Sequence, residues 1–236
     1  MLAYLADSAH WWGPSGILQR LIEHLQFSGV ALVLSLLIAL PPAVIIGHTG
    51  RLGFLAINVS NIGRAIPSLA FLALAASTLP HGFSSRWPTI IALVALAVPP
   101  LITNTYVGMR QADEDAVSAA KGTGLSPVQV ALRIEFPLAL PLVIAGLRTS
   151  VTNIIATATL AALVTQGGLG RLIVDGQAQA DRGQQVAGAV LVAALALLCD
   201  GLLVLLAKRL TPGPVVRRIR RGRLSASAPA TPGNRD

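Results

Sequence analysis

The chain is short of charge: 12% of its 236 residues are Asp, Glu, Lys or Arg and 53% are hydrophobic, whereas soluble domains carry about 25% charged and roughly 45–50% apolar residues. Mean hydropathy is +0.68. With 10 acidic and 18 basic side chains, several of the latter in one tail, no polar shell can be built around a soluble fold of this size. The single cysteine, Cys199, excludes a disulfide framework and a cysteine-rich metal site. His10, His24, His48 and His81 lie far apart, without the H-x-x-x-H or H-E-x-x-H spacing of a local metal motif. Three Trp, two Tyr and five Phe are scattered along the chain, too thinly for the cage of rings that holds a quaternary ammonium ion. A phosphate loop is missing as well, because in Lys121-Gly122-Thr123-Gly124 the lysine precedes the glycines instead of following them. The net charge of +8 does not point to nucleic acid: the basic excess gathers after the last apolar run, where it serves as an anchor facing anionic lipid.

What the chain has is long apolar runs. A transmembrane helix needs about 20 mostly apolar residues, and five segments qualify. Residues 25–50, 87–109 and 183–207 are nearly free of charge, the last interrupted by Asp200. Residues 52–79 and 138–164 each contain one arginine and one proline, Arg64 with Pro67 and Arg148 with Pro141. Met1 to Trp12 has no basic region of the kind that opens a cleavable signal, so the first helix is expected to be retained. Just before it, Ile17, Leu18, Leu21, Ile22 and Leu25 recur at helical spacing opposite Gln19, Arg20, Glu23 and His24. That pattern fits either an interfacial amphipathic helix or the wet first turns of the first span.

Lysine and arginine positions set the expected orientation. With the C-terminus cytoplasmic, inner segments hold Arg51, Arg110, Lys121, Arg133, Lys208, Arg209, Arg217, Arg218, Arg220, Arg221, Arg223 and Arg235, while outer ones hold Arg20, Arg86, Arg171 and Arg182. Positive charge on the cytoplasmic side favours this topology. The organisation expected is an extracytoplasmic or interfacial segment over 1–27, a transmembrane domain over 28–210 with a cytoplasmic loop at 111–135, and a basic disordered tail over 211–236.

That loop is longer than a connector needs to be. Asp113, Glu114 and Asp115 precede Ala116 to Lys121, placing carboxylates at the positive end of a short helix and a lysine at the other. Gly122 and Gly124 end it, and Ser126-Pro127 opens a second short helix running toward Pro137. The motif is helix, glycine turn, helix.

Ser118-Ala119-Ala120, then Gly124, then Ile134-x-Phe136-Pro137 resembles the EAA loop of binding-protein-dependent ABC importer permeases: Glu-Ala-Ala, three residues, Gly, nine residues, Ile-x-Leu-Pro. Ser118 stands where that pattern has glutamate and Phe136 where it has leucine; Asp113, Glu114 or Asp115 offers a replacement carboxylate. The stretches Arg64 to Ala70, Asn104 to Gly108, Gly146 to Thr149 and Gly167-Gly168-Leu169-Gly170 are similar to permeases for glycine betaine, choline and related osmoprotectants. The resemblance implies an all-α integral membrane protein with the architecture of a type I importer permease, in a bacterial inner membrane. It also implies a second permease subunit, identical or different, two ATP-binding subunits that alone bind nucleotide, and an extracytoplasmic substrate-binding protein. The chain itself would be neither an enzyme nor a cofactor carrier. Ser118, Ala119, Ala120 and Gly124, with Ile134, Phe136 and Pro137, would couple it to the ATPase.

Pathway residues are sought where the spans break the rules of the bilayer. Pro67, Pro99, Pro100, Pro137 and Pro141 remove helical hydrogen bonds, marking either bends near a water-lined path or packing kinks. An arginine inside a span costs at least about 2.5–3.5 kcal/mol at the helix centre, so Arg64 and Arg148 either face the bundle interior or snorkel. Asn104 and the glycines Gly167, Gly168 and Gly170, read as a flexible gate, complete the set. Alternatives are a permease for another small solute such as an amino acid, an ion-coupled secondary transporter, for which Asp200 is the one intramembrane carboxylate, and a membrane scaffold.

Overall fold

A computed structural model describes residues 2–54, 57–58, 61, 67–79, 86–164 and 167–210. Every regular element among them is helical. A short α1, Leu2–Ala6, and a 3-10 turn, Ser8–His10, lead into α2, Ile17–Thr49. Then come α3, Ser68–Thr78, α4, Trp87–Arg110, and α5, Glu114–Gly122. The long α6 runs Pro127–Ala161 and is followed by α7, Gly170–Ala178, and α8, Arg182–Leu210. Four of these, α2, α4, α6 and α8, are long and apolar enough to cross a membrane. Of the expected span over 52–79 the described part includes α3; Arg64 lies outside the described residues, as does the tail from 211.

The α2, α4 and α6 helices form the core of the bundle, with α8 packed on α6 and α7 and α3 on α4. Lipid is as apolar as leucine, so burial in a bilayer selects small residues that let backbones approach. Along α2 the buried positions from the middle onward are Ala31, Ser35, Ala39, Ala43 and Gly47, one small residue each turn, while Leu37 and Ile45 stay exposed. Similar close approaches join α6 to α4: a Cβ on Gly146 would stand 2.8 Å from the Asn104 Cβ, and one on Gly108 3.0 Å from the Ala139 Cβ. Large side chains fill the gap toward both ends: Phe27, Leu93 and Ile154 meet Ala31, Ala97 and Ala158 at one, and Met109 and Val143 meet Leu40, Val44 and Phe136 at the other.

Two sequence expectations change. First, the polar stripe opposite Ile17 and Leu21 is only partly turned to water: α2 is continuous from Ile17, Gln19 is exposed, Arg20 and Glu23 are half-buried and His24 is fully buried, while Leu18, Ile22 and Leu25 are exposed. These are the first turns of the span with polar groups facing protein. Second, the helix opened by Ser126-Pro127 does not end at Pro137. It passes through a π-helical turn, Ala131–Glu135, in which the Phe136 amide donates to the Ala131 carbonyl, and continues as Phe136–Ala161. The wider turn directly precedes Pro137, whose ring would otherwise meet the carbonyl four residues back. Pro99, Pro100 and Pro141 sit inside helices that continue through them, while Pro67 is the N-cap of α3. In the same stretch of α4, the Pro100 carbonyl accepts from Asn104 Nδ2 at 2.8 Å and the Ala97 carbonyl accepts from the Ser150 hydroxyl of α6 at 2.8 Å.

Candidate functional site

The α5–α6 corner is built by local rules alone. Asp113 caps α5, its Oδ1 accepting from the Ala116 amide at 2.9 Å, with Glu114 and Asp115 in the first turn and Lys121 in the last. At the other end the Leu125 amide donates to the Ala120 carbonyl (3.3 Å) and the Gly124 amide to the Lys121 carbonyl (3.0 Å). This is a Schellman pair, and it puts the residue after the cap in the left-handed region; Gly124 sits there with φ +84°. Two residues later a capping box starts α6: the Ser126 amide donates to Gln129 Oε1 at 2.9 Å and the Gln129 amide to Ser126 Oγ at 3.4 Å, with Pro127 at the first helical position. The corner exposes Ser118, Ala119, Gly124 and Val128, whereas Ala120 is buried. Ile134, Phe136 and Pro137 are half-buried at its base, so the motif residues divide into an exposed tip and a foot set in the bundle.

The foot is tied to α2. Glu135, the last residue of the π turn, is 7% exposed and lies with Oε2 2.7 Å from Nδ1 of His48. A carboxylate at the head of an apolar run was the available sequence signal, but its partner lies 87 residues earlier. Replacing Glu135 by alanine removes the only bond described for the His48 ring and opens a cavity, and is expected to lower stability by about 1–3 kcal/mol. Thermal melting of the detergent-purified protein checks this, with Glu135→Gln, which keeps a hydrogen bond, expected to lose less than half as much.

The glycine turn expected to be a flexible gate is packed instead. Gly167, Gly168, Leu169 and Gly170 are all buried. Gly168 has φ +74°, and its amide donates to Glu23 Oε2 at 3.0 Å; that same oxygen accepts from Arg20 at 3.0 Å. A Cβ on Gly168 would meet the His24 ring at 3.2 Å and one on Gly167 the Phe27 ring at 3.1 Å. Glu23 and His24, read from sequence as a wet face, thus hold the α6–α7 turn onto α2.

Arg148 lies midway along Phe136–Ala161 and makes a bidentate pair with Asp200 of α8, Nε to Oδ1 at 2.8 Å and one terminal nitrogen to Oδ2 at 2.9 Å. The pair is open, with side chains 40% and 35% exposed. It borders a cleft of about 430 Å³ whose other walls are Ala145, Thr149, Thr152 and Asn153. The outward face of α8 looks quite different, with Leu197, Leu198, Leu202 and Leu205. Of the remaining expected pathway residues, Asn104 is half-buried on α4 beside Gly146 and Pro67 starts α3, so neither joins the cleft.

Residues 31–212 match the family described as binding-protein-dependent transport system inner membrane component. The chain is 34% identical to the choline transport system permease protein OpuBB of Bacillus subtilis over 85% of its own length and 91% of that protein's. It is 34% identical to the glycine betaine/carnitine/choline transport system permease protein OpuCB of the same organism, over 83% and 89%. To the osmoprotectant import permease protein OsmY of Salmonella typhimurium it is 30% identical, over 82% and 81%. Among solved structures, an inward-facing MetNI methionine ABC transporter superposes with a TM-score of 0.72 at 18% identity, covering 83% of this chain and 96% of that one, a likeness of fold. With four apolar spans among its described residues and the helix–glycine–helix corner between the two central ones, the chain belongs to the inner-membrane permease components of binding-protein-dependent ABC transport systems and has the type I importer fold.

Proposed function

We propose that this chain is the permease subunit of an ATP-driven importer for small osmoprotectants of the glycine betaine, choline and carnitine class. The observation that carries the reading is the exposed α5–α6 corner: the short helix α5 and the start of the long α6, joined by a doubly capped glycine turn on the end of a bundle whose relatives are named as osmoprotectant permeases. The corner, with Ser118, Ala119 and Gly124 at its tip, seats in a groove of a separate ATP-binding subunit. Its push reaches the membrane through the continuous helix α6 and, by way of Glu135 and His48, through α2. A second permease subunit completes the path, two ATP-binding subunits supply hydrolysis, and a binding protein delivers solute on the side of the Glu23–Gly168 turn. Nucleotide is held by the partners, and the C-terminus is cytoplasmic.

The second subunit faces the cleft side of α6. There the exposed residues Thr149, Thr152, Asn153 and Ala156 are small or polar, whereas lipid-facing surfaces such as that of α8 carry leucine; polar groups at bilayer depth turn toward protein or a water-filled path.

The test is co-expression with the ATPase and binding protein, reconstitution into proteoliposomes, and uptake of radiolabelled glycine betaine, choline and carnitine with and without ATP. ATP-dependent uptake suppressed by an excess of unlabelled osmoprotectant, but not by amino acids, is the expected result. Uptake displaced by amino acids alone would move the chain to another solute class, and solute accumulation driven by an ion gradient without ATP would overturn the reading.

A further inference from the structure

We infer that the Arg148–Asp200 cleft is a transient binding site for zwitterionic solutes, one that grips a carboxylate with Arg148 and the neighbouring cation with Asp200. The inference rests on the importer reading and adds to it a place within this subunit where the solute is held.

The two bonds to Asp200 use Nε and one terminal nitrogen of Arg148; the guanidinium fork has further N–H donors, and the side chain remains 40% exposed. Those donors are available to a second carboxylate beside the first. The Thr149 and Thr152 hydroxyls donate their protons to the Ala145 and Arg148 carbonyls at 3.1 and 3.0 Å. Their oxygens therefore present lone pairs to the cleft, and with the Asp200 carboxylate they form the side that suits a cation. The cleft thus carries a positive group and a negative one side by side on its wall. Its volume of about 430 Å³ falls within the roughly 300–1,000 Å³ of small-molecule sites.

Charge balance favours the same ligand class. An ion pair is net neutral, and so is a zwitterion, so the occupied site places no uncompensated charge at membrane depth, which a lone anion or cation would do. A solute with a cation alone would meet Asp200 but leave the spare Arg148 donors without an acceptor. No aromatic ring lines the cleft, so the strong cation–π grip is missing and holding is weak, as release to the far side requires.

The decisive variant is Arg148→Lys, which keeps the charge opposite Asp200 but replaces the planar fork with a single ammonium point. In proteoliposomes containing the full complex, glycine betaine carried per ATP hydrolysed is expected to fall about tenfold, the scale of one lost charge-assisted hydrogen bond, while choline carried per ATP changes less than about twofold. Equal losses for the two solutes, or no loss for either, would overturn the site, as would a wild-type complex that carries choline but not glycine betaine. A second measurement does not depend on the variant's folding. Saturation-transfer NMR on the wild-type permease–ATPase complex without binding protein should show transfer to the methyl protons of glycine betaine, lost in Asp200→Asn. Absence of transfer in the wild type, or undiminished transfer in Asp200→Asn, removes the assignment. If the wild type carries neither solute with ATP, the importer reading itself fails, and the NMR result still decides the cleft.

Discussion

Replacing Gly124 with valine is expected to cut ATP-driven solute uptake by more than about tenfold while leaving the protein in the membrane at near its normal level, a separation that follows from where the cost falls. A Cβ at Gly124 would meet nothing within 4 Å, so the substitution creates no clash. Its penalty is conformational: at φ +84° an L residue pays roughly 1–2 kcal/mol, and a β-branched one more. The backbone escapes by opening the Schellman pair, releasing the Leu125 and Gly124 amides from the Ala120 and Lys121 carbonyls and re-aiming the Ser118–Ala119 tip against the Pro127 helix. Because the corner is exposed, the bundle behind it does not unfold. Two comparisons isolate the cause. Gly122 also has open space around a Cβ but does not have positive φ, so Gly122→Val should retain most activity. Asparagine tolerates the left-handed region, so Gly124→Asn should lie between. Uptake by the valine variant at the wild-type rate would refute a coupling role for the corner.

The opposite signature is expected at Gly170. Here a Cβ would stand 2.1 Å from the Thr159 carbonyl oxygen and 2.8 Å from the Ala162 Cβ, and the first contact is backbone at the end of α6, which cannot swing aside. Gly170→Val should cost about 3 kcal/mol or more, so the protein should be largely lost from the membrane before transport is measured. Gly170→Ala meets the same carbonyl and should also be strongly destabilised. Gly29, with nothing within 4 Å of its Cβ position, supplies the contrast: inside α2, Gly29→Ala is expected to raise stability by about 0.5–1 kcal/mol rather than lower it. Membrane abundance and thermal melting of the purified protein distinguish the two. The glycines of the α6–α7 turn are thus packing residues, fitted against Phe27, His24 and Thr159, rather than free joints.

The two glycine variants also show which parts of the molecule could be read before it was folded. The corner was legible because every interaction in it is local. Asp113 caps an amide three residues on, Ser126 and Gln129 bond each other across the same interval, and Gly124 answers a turn closed within five residues. The span over 87–109 was likewise within one residue of α4, since hydropathy fixes how much chain the bilayer holds. Hydropathy does not say which side of an apolar helix faces protein, because both surroundings are apolar. For that reason the pattern over Ile17–Leu25 predicts a wet polar face, whereas Glu23 and His24 pack on the Gly167–Gly170 turn. The extension of α6 through a π turn past Pro137 is not legible in the sequence for a related reason: a proline reads as a stop, and only the wider turn before it lets the helix continue.

By itself, then, the sequence determined that this protein lives in a membrane, roughly where most of its spans fall, and that a capped helix pair projects between two of them. Those properties depend on composition and on contacts a few residues long. The tertiary structure decided the pairings: Glu23 with Gly168 across 145 residues, His48 with Glu135 across 87, Arg148 with Asp200 across 52. Each joins groups far apart in the chain, and each is set by which small-residue stripes let the helices approach and in what register; Arg148, midway along its span, is held because the packing brings it Asp200.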